Sequence, residues 1–197
     1  MVTTNTLAKY LNTTPASVTD MLKKLGERKL AEYVPYQGAK LTPAGKKFAL
    51  EIIRKHRLWE VFLVKTLNFS WDNIHDTAEQ LEHVNSPELV RKLDEFLGFP
   101  KFDPHGDPIP SEDGEIQGRK TFTLDEADSG QSVILAGVLN HIPEFLQYLD
   151  RIGLNLGKEI SVNEKILFDG SVVITLGKKE IVLSGEVARH LLVMKKE

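Results

Sequence analysis

The sequence predicts an α+β protein in which helices come first and strands come last. Through most of residues 1–100, apolar residues recur with the 3.6-residue period of helices. Three prolines and two glycines then lie within residues 101–114, which is typical of a linker or an ordered loop. Beyond residue 117, short β-type runs surround one helix-like segment. We therefore divide the chain into residues 1–45, 46–100, 101–117 and 118–197.

The first part has the order of elements of a winged helix-turn-helix. TNTLAKYLN predicts a short helix that ends at NTTP, and a second helix begins at Pro15, which suits a first turn. AEYVPYQGAKL then alternates around Gln37 and Gly38 as a small hairpin. Any small α/β domain can contain helix, turn and helix. The Ser/Thr-rich start of the second helix and the Lys- and Tyr-bearing hairpin favour DNA binding over that reading.

The charge distribution points the same way. Residues 1–57 contain eleven Lys and Arg against four Asp and Glu, which gives +7, and the remainder contains fourteen against twenty-four, which gives −10. A basic N-terminal quarter on an acidic body indicates that the first part meets a polyanion. The alternative is an uneven but solvated surface.

The second part predicts three apolar helices. TPAGKKFALEIIRKHRLWEVFLVKTL is a long helix that Thr42 can cap. WDNIHDTAEQLEHV predicts a second helix, with Asp72 or Asn73 as its cap, and SPELVRKLDEFLGFP a third that starts at Ser86 and Pro87. Helices this apolar must bury a surface, either within the chain or by dimerisation.

The last part predicts a small β-barrel. Its strand-like runs are TFTLDEA, SVILAGVL, EISVNEKILF, SVVITL and EIVLS, and PEFLQYLDRIGL is its helix.

The stretch IHDTAEQLEHV carries two histidines and three carboxylates without a lysine or arginine. On a helix, four of these side chains project within an arc of about 100°, and the preceding helix offers an i, i+4 pair. Together the six candidate ligands are His56, Glu60, His75, Glu79, Glu82 and His83. Buried carboxylates without a cation cost several kcal/mol. This face is therefore either an ordinary solvated acidic surface or a metal-binding site.

Ligand chemistry restricts the metal. The chain has no cysteine, which excludes thiolate sites and disulfides, and imidazole with carboxylate suits Mn²⁺ or Fe²⁺. Zinc accepts the same ligands, although an HExxH protease motif is absent. We see no signal peptide and no run of about 18 apolar residues, so we expect a cytoplasmic protein without a membrane span.

With these motifs in place, the chain resembles the diphtheria toxin repressor family of metal-dependent transcription regulators. The resemblance covers essentially all 197 residues and rests on SVTDMLKKL, LTPAGKK, RKHRLWE, HDTAEQLEHV and PHGDPIP. It implies a helical metal-binding and dimerisation domain and an SH3-like, FeoA-like C-terminal domain. The implied function is a regulator, most simply a repressor, that binds double-stranded operator DNA as a homodimer when loaded with metal and controls metal-uptake genes.

The resemblance also implies the sites. His56, Glu60 and His75 match one metal site, and Glu79, Glu82 and His83 match the other. The position of Glu79 is a cysteine in iron-responsive members and a glutamate in manganese-responsive ones, which favours Mn²⁺, with Fe²⁺ as the alternative. Further ligands that some members use match Asp103, His105, His141 and Glu144.

The DNA contacts expected from this fold lie on the second helix and the wing. Base edges would meet Thr14, Pro15, Ala16, Ser17, Thr19 and Asp20. Phosphates would meet Lys23, Lys24, Tyr36, Gln37 and Lys40. The chain begins inside what resembles the family's second helix. We therefore expect a winged helix-turn-helix without the first helix, which in the family contributes ligands to the Glu79, Glu82 and His83 site.

Two other functions remain open from the sequence. A metal-dependent phosphohydrolase of the HD type could use His56 and the His75–Asp76 dyad, although no nucleophile or phosphate-binding glycine loop is visible. A winged-helix regulator that senses an organic ligand would bind DNA in the presence of chelators.

Overall fold

The computed structural model describes residues 1–35 and 37–196. It contains helices and antiparallel strands, which confirms the α+β prediction. The chain forms two compact units. One comprises Met1–Arg54 with Glu112–Gly114, and the other Lys55–Ser111 with Glu115–Glu197.

The first unit contains the predicted helix, turn, helix and hairpin. Its elements are α1 (Thr4–Tyr10), α2 (Pro15–Glu27), β1 (Ala31–Val34) and β2 (Gly38–Leu41). The Thr14 hydroxyl caps α2 by accepting a hydrogen bond from the Ser17 amide at 3.1 Å. Ala8, Val18, Leu22 and Ala39 form a small core.

Three further helices follow: α3 (Pro43–Lys65), α4 (His75–Glu82) and α5 (Pro87–Phe96). Thr42 caps α3 as predicted, because its hydroxyl accepts from the Gly45 amide at 3.0 Å. Helix α4 begins later than expected. Its N-cap is Ile74, without a side-chain hydrogen bond, so the prediction of Asp72 or Asn73 as the cap was wrong.

The C-terminal part of the second unit is a six-stranded antiparallel sheet with strand order β3-β8-β4-β5-β6-β7. Its elements are β3 (Phe122–Thr123), β4 (Ser132–Val138), α6 (Pro143–Ile152), β5 (Glu159–Lys165), β6 (Val172–Leu176), β7 (Lys179–Leu183), α7 (Gly185–Arg189) and β8 (Leu191–Lys195). The sequence did not predict β8, which pairs with both β3 and β4. In TFTLDEA, only Phe122–Thr123 is a strand, and Leu124–Glu126 form a 3₁₀ turn.

Register shifts in two strands mark bulges, between Leu135 and Gly137 in β4 and between Val162 and Glu164 in β5. Bulges bend a strand and increase its twist, which lets this short sheet wrap around its core. The core consists of aliphatic side chains from the sheet and from α6 and α7, and Trp71 packs against it from the α3–α4 connection. Within the described residues, none of the helices combines the length and the hydropathy that crossing a membrane requires.

Candidate metal centre

Helix α3 supplies the centre of a cluster of donor atoms. His56 and Glu60 are one helical turn apart, and His56 Nε2 lies 3.2 Å from Glu60 Oε1. His75, at the start of α4, places its Nδ1 4.0 Å from the same oxygen. The three residues form a group whose donor atoms all lie within 4.8 Å of one another. The two helices therefore bring together three of the six donors that the sequence placed on them.

A second group of donors shares Glu60 with the first. Asp103 and His105 come from residues 101–111, which we call the ligand loop, and His105 Nδ1 lies 3.9 Å from Glu60 Oε1. All three side chains are buried, with exposed fractions of 4 % for Glu60, 2 % for Asp103 and 4 % for His105. The loop residues and the α3 residues thus meet at one carboxylate, although more than forty positions separate them in sequence.

The ligand loop is rigidly built. Asp103 Oδ1 accepts hydrogen bonds from the amides of His105 and Asp107, both at 2.9 Å. The His105 carbonyl accepts from the Val138 amide at 3.0 Å, which attaches the loop to β4. Gly106 has a φ of +93°, and a Cβ there would lie 2.3 Å from the Ala136 carbonyl oxygen. Only glycine allows this close approach to the strand.

Arg57, next to His56 on α3, provides the cation beside this acidic group. Its guanidinium lies 3.4 Å from Asp103 Oδ2 and 3.1 Å from Asp107 Oδ2. It also donates to the Pro108 carbonyl at 2.5 Å. One arginine therefore fixes three points of the ligand loop relative to α3.

Hydrogen bonds fix the orientation of two histidine rings. In His56 both nitrogens have a carboxylate partner, Glu82 Oε2 at 2.7 Å from Nδ1 and Glu60 Oε1 at 3.2 Å from Nε2. His105 Nε2 lies 2.9 Å from the Trp71 carbonyl oxygen, so its Nδ1 lone pair faces Glu60. Metal-bound histidines ordinarily have such a partner on the other nitrogen.

The pKa values reflect burial and like charges. Burial, with the nearby carboxylates of Glu60 and Asp107, raises the pKa of Asp103 to about 7 despite two backbone hydrogen bonds. Burial alone would raise the pKa of Glu60, but the hydrogen bond and charge of His56 lower it overall. Burial lowers the pKa of His105. A buried cluster of imidazoles and carboxylates with one arginine as its cation fits a divalent metal ion, which would neutralise the acidic groups.

The raised pKa of Asp103 predicts how the stability of the metal-free protein depends on pH. The folded state holds the Asp103 proton up to about pH 7, whereas the unfolded chain releases it near pH 4. The folded state therefore binds more protons between these values, and the contribution of Asp103 to stability falls as the pH rises from about 4 to about 7. We expect Asp103→Asn to make the melting temperature of the chelator-treated protein less dependent on pH in this window. An unchanged pH profile in this variant would contradict the assignment.

The remaining predicted ligands lie outside the two groups. Glu79 and His83 are exposed, and Glu82 faces His56. In the part of the chain that the structure describes, Glu79, Glu82 and His83 do not form a group with donor atoms within 4.8 Å. The His141 ring stacks on that of His105 at 4.5 Å, and Glu144 is exposed in the first turn of α6.

The predicted DNA-contacting residues belong to the first unit, and most are exposed. The exposed ones are Thr14, Pro15, Ala16, Ser17, Asp20, Lys23, Lys24, Gln37 and Lys40. Thr19 is partly buried and donates from its hydroxyl to the Pro15 carbonyl at 2.9 Å. Tyr36 lies outside the described residues.

Comparison with known proteins gives the family. Three family models match the chain in order: the N-terminal DNA-binding domain of iron-dependent repressors over residues 1–39, their metal-binding and dimerisation domain over 42–111, and the FeoA domain over 122–195. A diphtheria toxin repressor from Corynebacterium glutamicum is 30 % identical over 97 % of this chain and 87 % of the relative. The chain belongs to the diphtheria toxin repressor family.

The repressor is also similar to solved structures over nearly its whole length. A manganese-dependent transcriptional repressor in complex with manganese shares 32 % identity and a TM-score of 0.86, covering 99 % of this chain and 91 % of that one. ScaR with bound Cd²⁺ shares 35 % identity and a TM-score of 0.80, covering 99 % and 92 %.

These findings confirm a metal-dependent transcriptional repressor with DNA-binding and dimerisation domains. The family consists of transcriptional regulators and not of enzymes, so the phosphohydrolase alternative is not supported.

Sequence reasoning missed three features of the centre. Arg57 was read only as part of the RKHRLWE motif, although its position beside a candidate ligand was the available signal. Trp71 was read only as the start of a helix. Glu82 was assigned as a ligand next to Glu79 and His83, and its contact with His56 depends on how α3 and α4 pack, which the sequence does not give.

Proposed function

We propose that this repressor senses Mn²⁺ through two adjacent metal positions that share the Glu60 carboxylate. The observation that carries the proposal is the meeting of donors at Glu60 Oε1: buried or partly buried ones from α3 and the ligand loop, and the exposed His75 from α4. His56 and His75 would complete one position, and Asp103 and His105 the other. Two-metal sites in proteins hold their ions about 3.5–4 Å apart.

The division into two positions follows from the donor atoms. Among the described residues, both groups contain Glu60, and no larger group has all its donors within 4.8 Å. A single ion would have to draw the two groups closer together. In this account Glu82 orients His56 and does not bind the metal directly, and Glu79 and His83 are available only for a separate, more exposed position.

The chemistry of the donors favours Mn²⁺, with Fe²⁺ as the alternative. Oxygen and imidazole donors without thiolate suit these borderline-to-hard ions. One similar solved structure is described as manganese-bound, whereas the Corynebacterium relative is named a diphtheria toxin repressor and two of the three family models are named for iron-dependent repressors. Both metals therefore belong in the first titration.

Binding would regulate DNA affinity by linkage. A metal that binds the DNA-competent arrangement more tightly shifts the population toward it. When bound, the metal supplies positive charge that neutralises the buried carboxylates and joins α3 to α4 and the ligand loop. Helix α3 begins in the N-terminal unit and carries His56 and Glu60 further along. A metal ion bound there would therefore restrain the helix that leads to the DNA-binding elements. A homodimer would then present two α2 helices to a pseudo-palindromic operator of metal-uptake genes in the cytoplasm.

Two measurements on the full chain test this function. Anaerobic calorimetry of chelator-treated protein with Mn²⁺, then Fe²⁺, should show saturable binding of two ions per chain. Selection from a random-sequence duplex pool should recover a pseudo-palindromic sequence with the preferred metal and not with EDTA. DNA selection that is equally strong in EDTA would instead favour a winged-helix regulator that responds to an organic ligand.

A further inference from the structure

Trp71 lies where three segments of the second unit meet. It belongs to the connection between α3 and α4, and its backbone carbonyl accepts a hydrogen bond from His105 Nε2 at 2.9 Å. Its indole ring stacks on the His105 ring with centroids 5.8 Å apart and an angle of 19° between the planes. His105 is therefore held twice by one residue, through the backbone and through the ring.

The same indole also contacts the C-terminal module. Trp71 Nε1 donates to Asp150 Oδ2 on α6 at 2.9 Å, and the ring packs against the core of the sheet. Its neighbour Asp72 accepts a hydrogen bond from Gln147, also on α6, at 2.7 Å. The α3–α4 connection is thus attached to α6 at two successive residues.

These contacts determine which atom of His105 faces the acidic centre. With its Nε2 proton directed at the Trp71 carbonyl, the ring presents the Nδ1 lone pair to Glu60 Oε1, 3.9 Å away. His141, whose own Nε2 lies 3.3 Å from the Val138 carbonyl, stacks on the same ring. The ring cannot turn without breaking a hydrogen bond and two stacking contacts.

We propose that Trp71 is a positioning residue for metal binding and that its indole–Asp150 hydrogen bond makes α6 part of the support of the metal centre. The inference rests on the proposed function and deepens it. Asp150 belongs to neither donor group, but it holds the Trp71 indole, and that ring in turn stacks on His105. Groups that hydrogen-bond a metal-ligating histidine, as the Trp71 carbonyl does here, typically change metal affinity about 10- to 100-fold when removed.

A double-mutant cycle on Mn²⁺ affinity tests the proposal. Trp71→Phe keeps the backbone carbonyl and an aromatic ring but loses the indole N–H, and Asp150→Ala loses the acceptor. We expect each single variant to weaken Mn²⁺ binding about 10-fold, in competition with a fluorescent chelator, and the double variant to bind no more weakly than either. Glu186→Ala is the matched control, because it removes an exposed ion pair with Arg189 from the same module.

A merely structural role would give a different result. In that case the single variants would have a lower melting temperature without metal but the Mn²⁺ affinity of the wild type. Alternatively, the effects of Trp71→Phe and Asp150→Ala on Mn²⁺ affinity would multiply, to about 100-fold in the double variant. Either result overturns the proposal. If wild-type protein itself binds no Mn²⁺, the proposed function fails first, and the two failures are therefore distinguishable.

A spectroscopic measurement tests the donor atom without a variant that could misfold. In ¹⁵N-histidine-labelled wild-type protein loaded with ¹¹³Cd²⁺, we expect scalar coupling of the metal to Nδ1 of His105. Coupling to Nε2 would show that the Trp71 carbonyl does not set the orientation of the ring, and would overturn the proposal.

Discussion

Glu60→Gln is expected to weaken Mn²⁺ binding at both positions by more than about 100-fold each, because both donor groups contain this carboxylate. The amide retains the size of the side chain but loses its charge and one acceptor. Calorimetry should show the loss, and so should thermal unfolding. A ligand at a free concentration 100-fold above its Kd stabilises the folded state by about 2.7 kcal/mol, which raises the melting temperature. The rise that Mn²⁺ causes in the wild-type protein should disappear in the variant.

The metal-free form of the same variant provides an internal check. Neutralising Glu60 removes a negative charge beside the buried Asp103, which stabilises the metal-free protein, and removes the contact with His56, which destabilises it. We therefore expect the free energy of unfolding of the chelator-treated variant to fall by no more than that one contact contributes. Glu51→Gln is the control for charge and helix propensity, since Glu51 is exposed on the same helix. Retention of both binding events in Glu60→Gln would refute a shared carboxylate.

Gly106→Ala is expected to displace the ligand loop from β4 and so remove Asp103 and His105 from the centre. The new Cβ would lie 2.3 Å from the Ala136 carbonyl oxygen and 2.4 Å from the Gly137 Cα, both backbone atoms. Overpacking costs about 1–3 kcal/mol, and the left-handed backbone adds about 1–2 kcal/mol for a residue with a side chain. Calorimetry should then show one binding event, at His56, Glu60 and His75, with the second lost.

Gly177→Ala separates backbone strain from displacement. Gly177 has a φ of +63°, in the connection between β6 and β7, and a Cβ there would meet nothing within 4 Å. It should destabilise the protein modestly and leave two binding events. Equal loss of binding in the two variants would mean that general destabilisation, and not the position of the loop, determines affinity.

The sequence predicted those parts of the centre that depend on local periodicity. His56 and Glu60 are four residues apart on a long amphipathic helix, so their common face follows from the helical repeat. Convergence with His75 followed from placing a second helix against the first. The caps at Thr14 and Thr42 likewise depend only on neighbouring residues.

The remaining features depend on contacts between distant segments. The ligand loop could be recognised from its prolines and glycines, but its attachment to β4 requires the bulge near Gly137 and the left-handed Gly106. The helical wheel placed Glu79 and His83 beside Glu82, yet α4 ends at Glu82 and only this residue turns toward His56. Strand β8 was missed because LLVMK follows a short helix and begins with four consecutive apolar residues. Its sequence therefore lacks the alternation of apolar and polar residues that predicts a strand.

Anomalous X-ray diffraction at the manganese absorption edge, from crystals of the full chain grown with Mn²⁺, would locate the bound ions. We expect two peaks about 3.5–4 Å apart near the Glu60 carboxylate, one beside His56 and His75 and the other beside Asp103 and His105. Peaks at Glu79 and His83, with none at Glu60, would contradict this expectation.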